Sequence, residues 1–278
     1  MFKKRFLVTL LFISIFGQNN YLLAKKNYLL KIKETGNCIS CDLNKQDLYG
    51  IDLSFSNLDK SNLKFSNLSH SNLFETSFAQ SNLSYSDISM SNLSGAYLFG
   101  AKIRNSNLSG SDLYNSVCIK TDFSNSNLSY SILDEANLNN ANLSKVNLIG
   151  SSLYFTNLSR ANLFKANLKN SNFDEAILYK ANLYGVNLLE SNLSNSNLNG
   201  SILKNSNLKN VNLSSSQLVN ANLDGSDLRG SNLNYSNLNG ASLKGANLKN
   251  VSLIGASLEN IFTCKTVMPW GIENNNCD

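Results

Sequence analysis

The chain has 278 residues, of which 24 are Lys or Arg and 19 are Asp or Glu, giving a formal net charge of +5. This charge does not indicate a nucleic-acid partner, because residues 41–260 contain 16 basic and 16 acidic residues and the excess lies at the two ends. Hydrophobic residues make up 42% of the chain, which is sufficient to bury a core.

Residues 1–24 are predicted to be an export signal. A basic start at residues 3–5 is followed by an apolar run of 11 residues, Phe6–Phe16, which is too short to span a bilayer. Cleavage is expected after Ala24, although Leu22 occupies a position where a small residue is preferred. The alternatives are a signal segment retained as a membrane anchor and a chain that stays in the cytoplasm.

Residues 25–40 are predicted to cap the N-terminal end of the segment that follows. Lys25–Thr35 has the composition of a short helix, with Leu29, Leu30 and Ile32 as its apolar residues. Gly36 is expected to end this helix.

Residues 41–260 are an unbroken five-residue repeat. From Leu43 to Leu258 a bulky apolar residue occupies every fifth position, 44 times, and 38 of these central residues are Leu. The residue two positions earlier is Ser in 22 repeats and Ala in 12, and the residue just before the centre is usually Asn or Asp. A period of five fits neither a helix nor a strand, so the pattern predicts a solenoid in a single domain.

Units such as Ala-Asn-Leu-Lys-Asn and Ser-Asn-Leu-Ser-Tyr resemble the pentapeptide-repeat family over about 80% of the chain. The resemblance implies an all-β solenoid, a right-handed quadrilateral β-helix in which four repeats form one coil of 20 residues. The central residue and the small residue point inward. Forty-four repeats would give about 11 coils and a rod about 50 Å long.

Some inward residues depart from the usual side-chain volume or polarity of the core and need a neighbour that compensates for it. Cys118 is a small central residue, and the next centre is the large Phe123, which suggests an exchange of volume within one coil. The inward Ser hydroxyls are expected to donate hydrogen bonds to nearby backbone carbonyls.

Residues 261–278 are predicted to cap the C-terminal end. Ile261 and Phe262 continue the chain from the last repeat, and Met268, Pro269 and Trp270 are suited to cover an open core.

The cysteines predict one disulfide at each end of the rod. Cys38 and Cys41 precede the solenoid and Cys264 and Cys277 follow it, while Cys118 fits a small buried hydrophobe. A shared four-cysteine zinc site is disfavoured because about 11 coils separate the two pairs by roughly 50 Å. A redox role for the C-x-x-C pair is the weaker alternative.

The two flanks resemble those of exported pentapeptide-repeat proteins of cyanobacteria. The matching segments are TGNCISCDL before the rod and CKTVMPWG after it. This resemblance implies the periplasm or the thylakoid lumen as the compartment, and an extracellular location is the remaining exported alternative.

A 20-residue coil sorts the outward residues onto four faces, two of which differ in charge. The acidic face, built on centres 53, 73, 93 and onward to 253, has no Lys or Arg. The basic face, on centres 43, 63, 83 and onward to 243, lies opposite and has eight basic residues against three acids. The acids of the acidic face are Asp52, Glu75, Asp112, Asp134, Glu135, Asp174 and Glu175; the bases of the basic face are Lys45, Lys64, Lys102, Arg104, Lys145, Lys165, Lys204 and Lys244.

A third face, on centres 58, 78, 98 and onward to 258, contains a candidate interaction patch. Tyr97, Phe99, Val117 and Ile119 are outward and apolar on adjacent coils, at positions that are otherwise mostly polar. We call this surface the patch face. It predicts contact with a protein partner or with a second copy, and a locally tolerated apolar patch is the alternative.

The sequence predicts no catalytic residue, cofactor site or metal site. The single histidine, His70, is expected to point outward with no nucleophile fixed beside it. On the acidic face, aromatic residues lie between two carboxylate pairs, an arrangement that a sugar or Ca²⁺ could use, although solubilising acids explain it as well. These residues are Asp134, Glu135, Tyr154, Phe155, Asp174 and Glu175.

The sequence therefore predicts a non-catalytic exported rod that acts as a structural or protein-interaction scaffold. An extracytoplasmic carbohydrate- or ion-binding module is the alternative. The family resemblance also includes cytoplasmic DNA mimics that act on gyrase, but these need an acidic surface, and this solenoid has no net charge. The expected partner is an unknown protein or a second copy, with no nucleic acid, and membrane contact only through an uncleaved signal segment.

Overall fold

A computed structural model of the protein describes residue 28, residues 30–32, residues 34–275 and residue 277. The predicted export signal, residues 1–24, lies outside these described residues. Residues 28, 30–32, 34 and 35 have helical backbone, and the rest of the predicted Lys25–Thr35 helix falls outside them. Ile32 is buried against the core, and Gly36, at φ +62°, donates a backbone hydrogen bond to its carbonyl at 2.7 Å. No helix in the described ranges is long and apolar enough to cross a membrane.

Coils of 20 residues stack in parallel along the rod. A parallel β-bridge joins the residue just before each centre to the equivalent residue of the next coil, 20 positions later. These bridges run from Asn37 with Asn57 to Asn247 with Val267. This spacing confirms the predicted solenoid with four repeats in each coil. Residues 20 apart therefore lie on the same face of adjacent coils, and residues 10 apart lie on opposite faces.

Most of the backbone hydrogen bonds run along the rod rather than within a coil. The Leu43 amide donates to the carbonyl of Asn62 at 2.8 Å, and the Asn62 amide donates back to Cys41 at 2.9 Å. At most corners a tight turn is closed within the coil, as where the Gln46 amide donates to the Leu43 carbonyl at 3.2 Å. Every coil thus satisfies the backbone of its neighbours, which explains the scarcity of proline.

The corner residue of every repeat has a left-handed backbone. Each fifth residue from Ser40 to Lys265 has a positive φ, as a type II turn requires at its third position, and 34 of these residues are not glycine. The side chain of a corner residue projects toward the next coil. A Cβ atom on Gly150 would lie 2.7 Å from the ring of Tyr130, so glycine at this corner leaves room for that ring.

The inward side chains form one continuous core. All the central residues from Leu43 to Leu248 are buried, and the largest are Phe78, Phe123 and Phe173. Cys118 and its neighbouring centre Phe123 are both fully buried, as their proposed exchange of volume requires. Most inward Ser and Thr hydroxyls donate to backbone carbonyls; the Ser226 hydroxyl, for example, donates to the Leu223 carbonyl at 2.6 Å.

Ser201 departs from this pattern and leads to a stability prediction. Its buried hydroxyl has no hydrogen-bond partner among the described residues. We expect Ser201→Ala to leave the free energy of unfolding unchanged or slightly raised, because it removes an unsatisfied polar atom. Ser226→Ala is the matched control and is expected to lower it by about 1 kcal/mol, since it deletes a hydrogen bond. Chemical denaturation of both variants checks this, and an equal loss in both would contradict it.

The C-terminal end is closed on two of its four sides. Two short strands, β1 (Thr266–Met268) and β2 (Gly271–Glu273), pair as an antiparallel hairpin above the last coil. Met268 covers the core and is 2% exposed. The expectation that Pro269 and Trp270 also cover the core is wrong, since both are exposed. Trp270 is 62% exposed at the hairpin turn, where its indole N–H donates to the Glu273 carboxylate at 2.7 Å.

Candidate interaction faces

The cysteines occupy two kinds of position. Disulfides join Cys38 to Cys41 and Cys264 to Cys277, the pairs that the sequence predicts, with Cα atoms 5.4 and 4.8 Å apart. Cys118 is a buried free thiol, and burial raises its pKa to about 12. A thiol with so high a pKa is not a nucleophile at neutral pH, so Cys118 has a packing role.

On the acidic face, two of the predicted carboxylates bind the protein's own backbone and side chains. The Asp134 carboxylate accepts hydrogen bonds from the Ser152 hydroxyl at 2.5 Å and the Tyr154 amide at 2.8 Å. The Asp174 carboxylate accepts from the Ser194 hydroxyl at 2.7 Å and the Asn195 amide group at 2.9 Å. Both residues therefore stabilise the junction with the next coil, a role that residue spacing did not reveal.

The tyrosines of this face respond to the remaining acids. Glu135 accepts a hydrogen bond from Tyr114, and this bond and its negative charge raise the pKa of the tyrosine. Partial burial raises the pKa of Tyr154, and the charges of Glu175 and its neighbours add to the effect. The rings of Tyr154 and Phe155 meet edge to face, with centroids 4.5 Å apart. The predicted acidic and aromatic residues thus lie together as one surface.

This surface does not gather ligands for a metal. Over the part of the chain that the structure describes, no three His, Cys, Asp or Glu side chains lie close enough to hold a metal ion. His70 is exposed and its ring lies 5.4 Å from that of Tyr49, away from the acidic face.

The basic face combines lysines with stacked aromatic rings. Phe65 and Tyr85, one coil apart, stack with centroids 5.1 Å apart, and the Lys64 ammonium lies 5.2 Å from the Phe65 ring. The rings turn their faces toward each other along the rod, so their edges point to solvent. Arg104 forms an ion pair with Asp122 of the next coil at 2.5 Å.

On the patch face the four predicted apolar residues lie together. Tyr97 and Val117 form a bridge between adjacent coils, and the rings of Tyr97 and Phe99 are nearly parallel, with centroids 6.3 Å apart. Tyr97 is 44% exposed, while Phe99, Val117 and Ile119 are half-buried. The Lys120 ammonium lies 5.9 Å from the Phe99 ring at the border of the patch.

The other three faces have polar ladders that residue spacing did not reveal. At many residues just before a centre, an Asn side-chain amide donates to the side-chain oxygen one coil earlier, as in Asn182 to Asn162 at 3.0 Å. The first residue of each ladder accepts a hydrogen bond and has no earlier coil to donate to, so a carboxylate suits this position. Asp42, Asp47 and Asp52 accept hydrogen bonds from the Asn side chains of the next coil. On the described patch face no such bond joins residues 20 apart, and Tyr97, Val117 and Ile177 occupy three of its ladder positions.

The fourth face, on centres 48, 68, 88 and onward to 248, has a small basic cluster near its C-terminal end. Lys209 and Arg229 both form ion pairs with Asp227, at 3.2 and 2.7 Å. The Arg229 hydrogen bond is the main cause that lowers the pKa of Asp227 to about 2. The Lys209–Asp227 pair joins adjacent coils, whereas Arg229 and Asp227 belong to the same repeat, on either side of Leu228.

Comparison with known proteins agrees with this architecture. The family description Pentapeptide repeats (8 copies) matches six overlapping stretches between residues 37 and 195, and Pentapeptide repeat region matches residues 186–258. No curated protein matches the chain significantly.

Several solved structures are similar. HetL from Nostoc sp. strain PCC 7120, involved in heterocyst differentiation regulation, is 30% identical, with 87% of this chain and 96% of HetL covered and a TM-score of 0.48. Rfr23 from Cyanothece 51142 is 41% identical over 33% of this chain and 63% of its own, with a TM-score of 0.33. AT2G44920 from the Arabidopsis thaliana thylakoid lumen is 26% identical over 46% of this chain and 72% of its own, with a TM-score of 0.17. With its repeats, 20-residue coils and family matches, the chain belongs to the pentapeptide-repeat family.

Proposed function

We propose that the protein is a non-catalytic, exported rod of about 11 coils, with a short N-terminal capping helix, that binds a protein partner through its patch face. The observation that carries this proposal is the cluster of Tyr97, Phe99, Val117 and Ile119. Aromatic and aliphatic side chains on a rigid surface are the usual energetic centre of a protein interface. The lack of a polar ladder on this face supports the same role, since Tyr97 and Val117 occupy adjacent positions at which the other faces mostly have Asn or Asp.

The test removes the apolar surface without altering the coil. In Phe99→Ser with Ile119→Ser, two outward side chains become the residue that is common at such positions. We expect the mature chain carrying this change to lose its partner in affinity capture from the exported fraction, with binding weakened at least about tenfold.

The matched control is Ile149→Ser with Leu189→Ser, because these residues are also half-buried and outward but lie on the fourth face. We expect this control to retain the partner. Equal capture by the patch variant, the control and the unaltered chain would contradict the proposed role of the patch face.

Export is the second part of the proposal. The two disulfides support it, because structural disulfides persist in oxidising compartments, and the first 24 residues have the pattern of a signal. Fractionation of a tagged full-length chain, combined with thiol labelling, tests it. We expect an exported chain whose single free thiol, Cys118, is labelled only after unfolding. A cytoplasmic chain with five free thiols would contradict export.

Two other functions are less well supported. A carbohydrate- or ion-binding acidic face would use Asp134 and Asp174, but both already accept hydrogen bonds within the protein. The similarity to QnrB1, a plasmid-mediated fluoroquinolone resistance protein, is 19% in identity and concerns the fold alone. Glycan and Ca²⁺ binding screens and a gyrase supercoiling assay on the mature chain separate these functions from the scaffold.

A further inference from the structure

Most charges of the acidic and basic faces have no ion-pair partner within the rod. The acidic face has seven acids and no base, and the basic face has eight bases and three acids. Within the described ranges the ion pairs are Arg104–Asp122, Lys209–Asp227 and Arg229–Asp227. No acid of the acidic face takes part in them, and Arg104 is the only base of the basic face that does.

The coil itself prevents these charges from meeting. The centres of the two faces are 10 residues apart in a 20-residue coil, so the faces point in opposite directions along the whole rod. A second rod laid alongside can bring its acidic face onto the basic face of the first. We propose that copies of this chain associate side by side in this way, parallel and in register.

The register follows from the level of each charge along the rod. Counting coils from the one that starts at Leu43, acids occur on the acidic face at levels 1, 2, 4, 5 and 7, and bases on the basic face at levels 1, 2, 4, 6, 7, 9 and 11. In two parallel rods without a shift, the acids of one rod therefore face bases of the other at levels 1, 2, 4 and 7. The acids at level 5 lie one coil away from the base at level 6. The facing sets are Asp52 with Lys45, Glu75 with Lys64, Asp112 with Lys102 and Arg104, Glu135 with Lys145, and Asp174 and Glu175 with Lys165.

An antiparallel pair of rods that overlap along their whole length does not give this match. Reversing one rod places level 1 against level 11 and level 2 against level 10, so acids at levels 2 and 4 would face levels 10 and 8, which have no base on the basic face. When the rods overlap along their whole length, the parallel arrangement therefore pairs four acidic levels with bases and the antiparallel arrangement pairs two. An antiparallel pair shifted by one coil also pairs four levels and places Glu75 opposite Lys204, so the cross-linking experiment below distinguishes the two arrangements.

The proposed contact has two physical consequences. Each exposed ion pair contributes little alone, so association depends on several levels acting together and weakens as salt screens them. The acidic face of each rod binds the basic face of the next, so the first and the last rod each keep one unbound face. The assembly is therefore an open row of rods rather than a closed dimer. This inference does not rest on the patch face or on its partner.

The test reverses the charge of one face at a time. Glu135→Lys with Glu175→Lys alters the acidic face, and Lys145→Glu with Lys165→Glu alters the basic face. All four residues are corner residues, where both Glu and Lys occur elsewhere in the chain, as in Glu190 and Lys180. In sedimentation velocity at about 20 mM salt, we expect the unaltered mature chain to associate with increasing concentration and to become monomeric at about 300 mM salt.

Each charge-reversed variant is expected to lose association at least about tenfold, and an equal mixture of the two to regain it, since the reversed faces are complementary. Lys169→Glu with Lys249→Glu on the fourth face is the control, with the same change in net charge as the basic-face variant, and it should associate normally. Circular dichroism confirms that each variant is folded. A chain that stays monomeric at about 100 μM in low salt, or a mixture that fails to associate, would overturn the proposal.

Cysteine cross-linking tests the register separately. In the parallel arrangement, a Glu75→Cys chain should form a disulfide with a Lys64→Cys chain, because both residues lie at level 2. It should not cross-link to a Lys204→Cys chain, whose cysteine lies at level 9. Preferential cross-linking to the Lys204→Cys chain would show that the rods do not pack in register.

Discussion

Phe173→Ala is expected to lower the free energy of unfolding by about 3–5 kcal/mol. Phe173 is one of the three largest fully buried side chains, and it lies in the middle of the rod, where coils cover it on both sides. Both neighbouring coils are held by hydrogen bonds every few residues, so they cannot collapse into the cavity. Urea denaturation followed by circular dichroism measures the change.

Phe155→Ala is the matched control for this cavity. Phe155 belongs to the coil before, but it is outward and 47% exposed, and its main ring contact is with Tyr154. We expect its loss to cost no more than about 1 kcal/mol. Similar destabilisation by the two variants would contradict the inward and outward assignment of the repeat.

Removing the C-terminal disulfide is the second large effect. Cys277→Ser removes a disulfide between residues 13 apart in sequence. By closing a loop, this disulfide lowers the entropy of the unfolded chain, which corresponds to about 3 kcal/mol of stability. The effect should be local at first, because the hairpin of β1 and β2 closes only two sides of the last coil. We expect faster hydrogen exchange in residues 263–275 before the rod as a whole loses stability.

The N-terminal disulfide provides the comparison. Cys41→Ser opens a link between residues only 3 apart, so the loss from loop closure should be smaller, about 2 kcal/mol. Ser is also the commonest residue at the equivalent inward position of the repeat. A larger loss for Cys41→Ser than for Cys277→Ser would show that loop closure is not the main contribution.

Residue types placed the charged and apolar surfaces correctly but did not reveal what individual side chains bind. The acidic–aromatic group is one surface, yet Asp134 holds the Tyr154 amide of the next coil. Ser152 occupies the place where an Asn or Asp would otherwise accept this amide, so the carboxylate replaces the missing acceptor. Such a substitution depends on residues 18 to 20 apart, and single repeats contain no sign of it.

The ends were harder to predict than the coils for the same reason. Met268 continues the inward positions of the repeat and is buried, whereas Trp270 follows a turn and lies in solvent. Large size and low polarity suggested a cover for the core, but the hairpin turns the indole ring away from it. Without a repeat, composition does not fix where a side chain points.

The five-residue period by itself determined the solenoid and its inward residues. It could do so because every repeat meets an identical repeat one coil away, so local pattern and long-range contact coincide. The sorting of charge onto opposite faces also needed the 20-residue coil that the family resemblance implies. Only the tertiary structure decided the left-handed corners, the direction of the Asn ladders, the roles of Asp134 and Asp174 and the half-closed C-terminal end. These features depend on which side chain lies above which, and that is set by the stacking of coils.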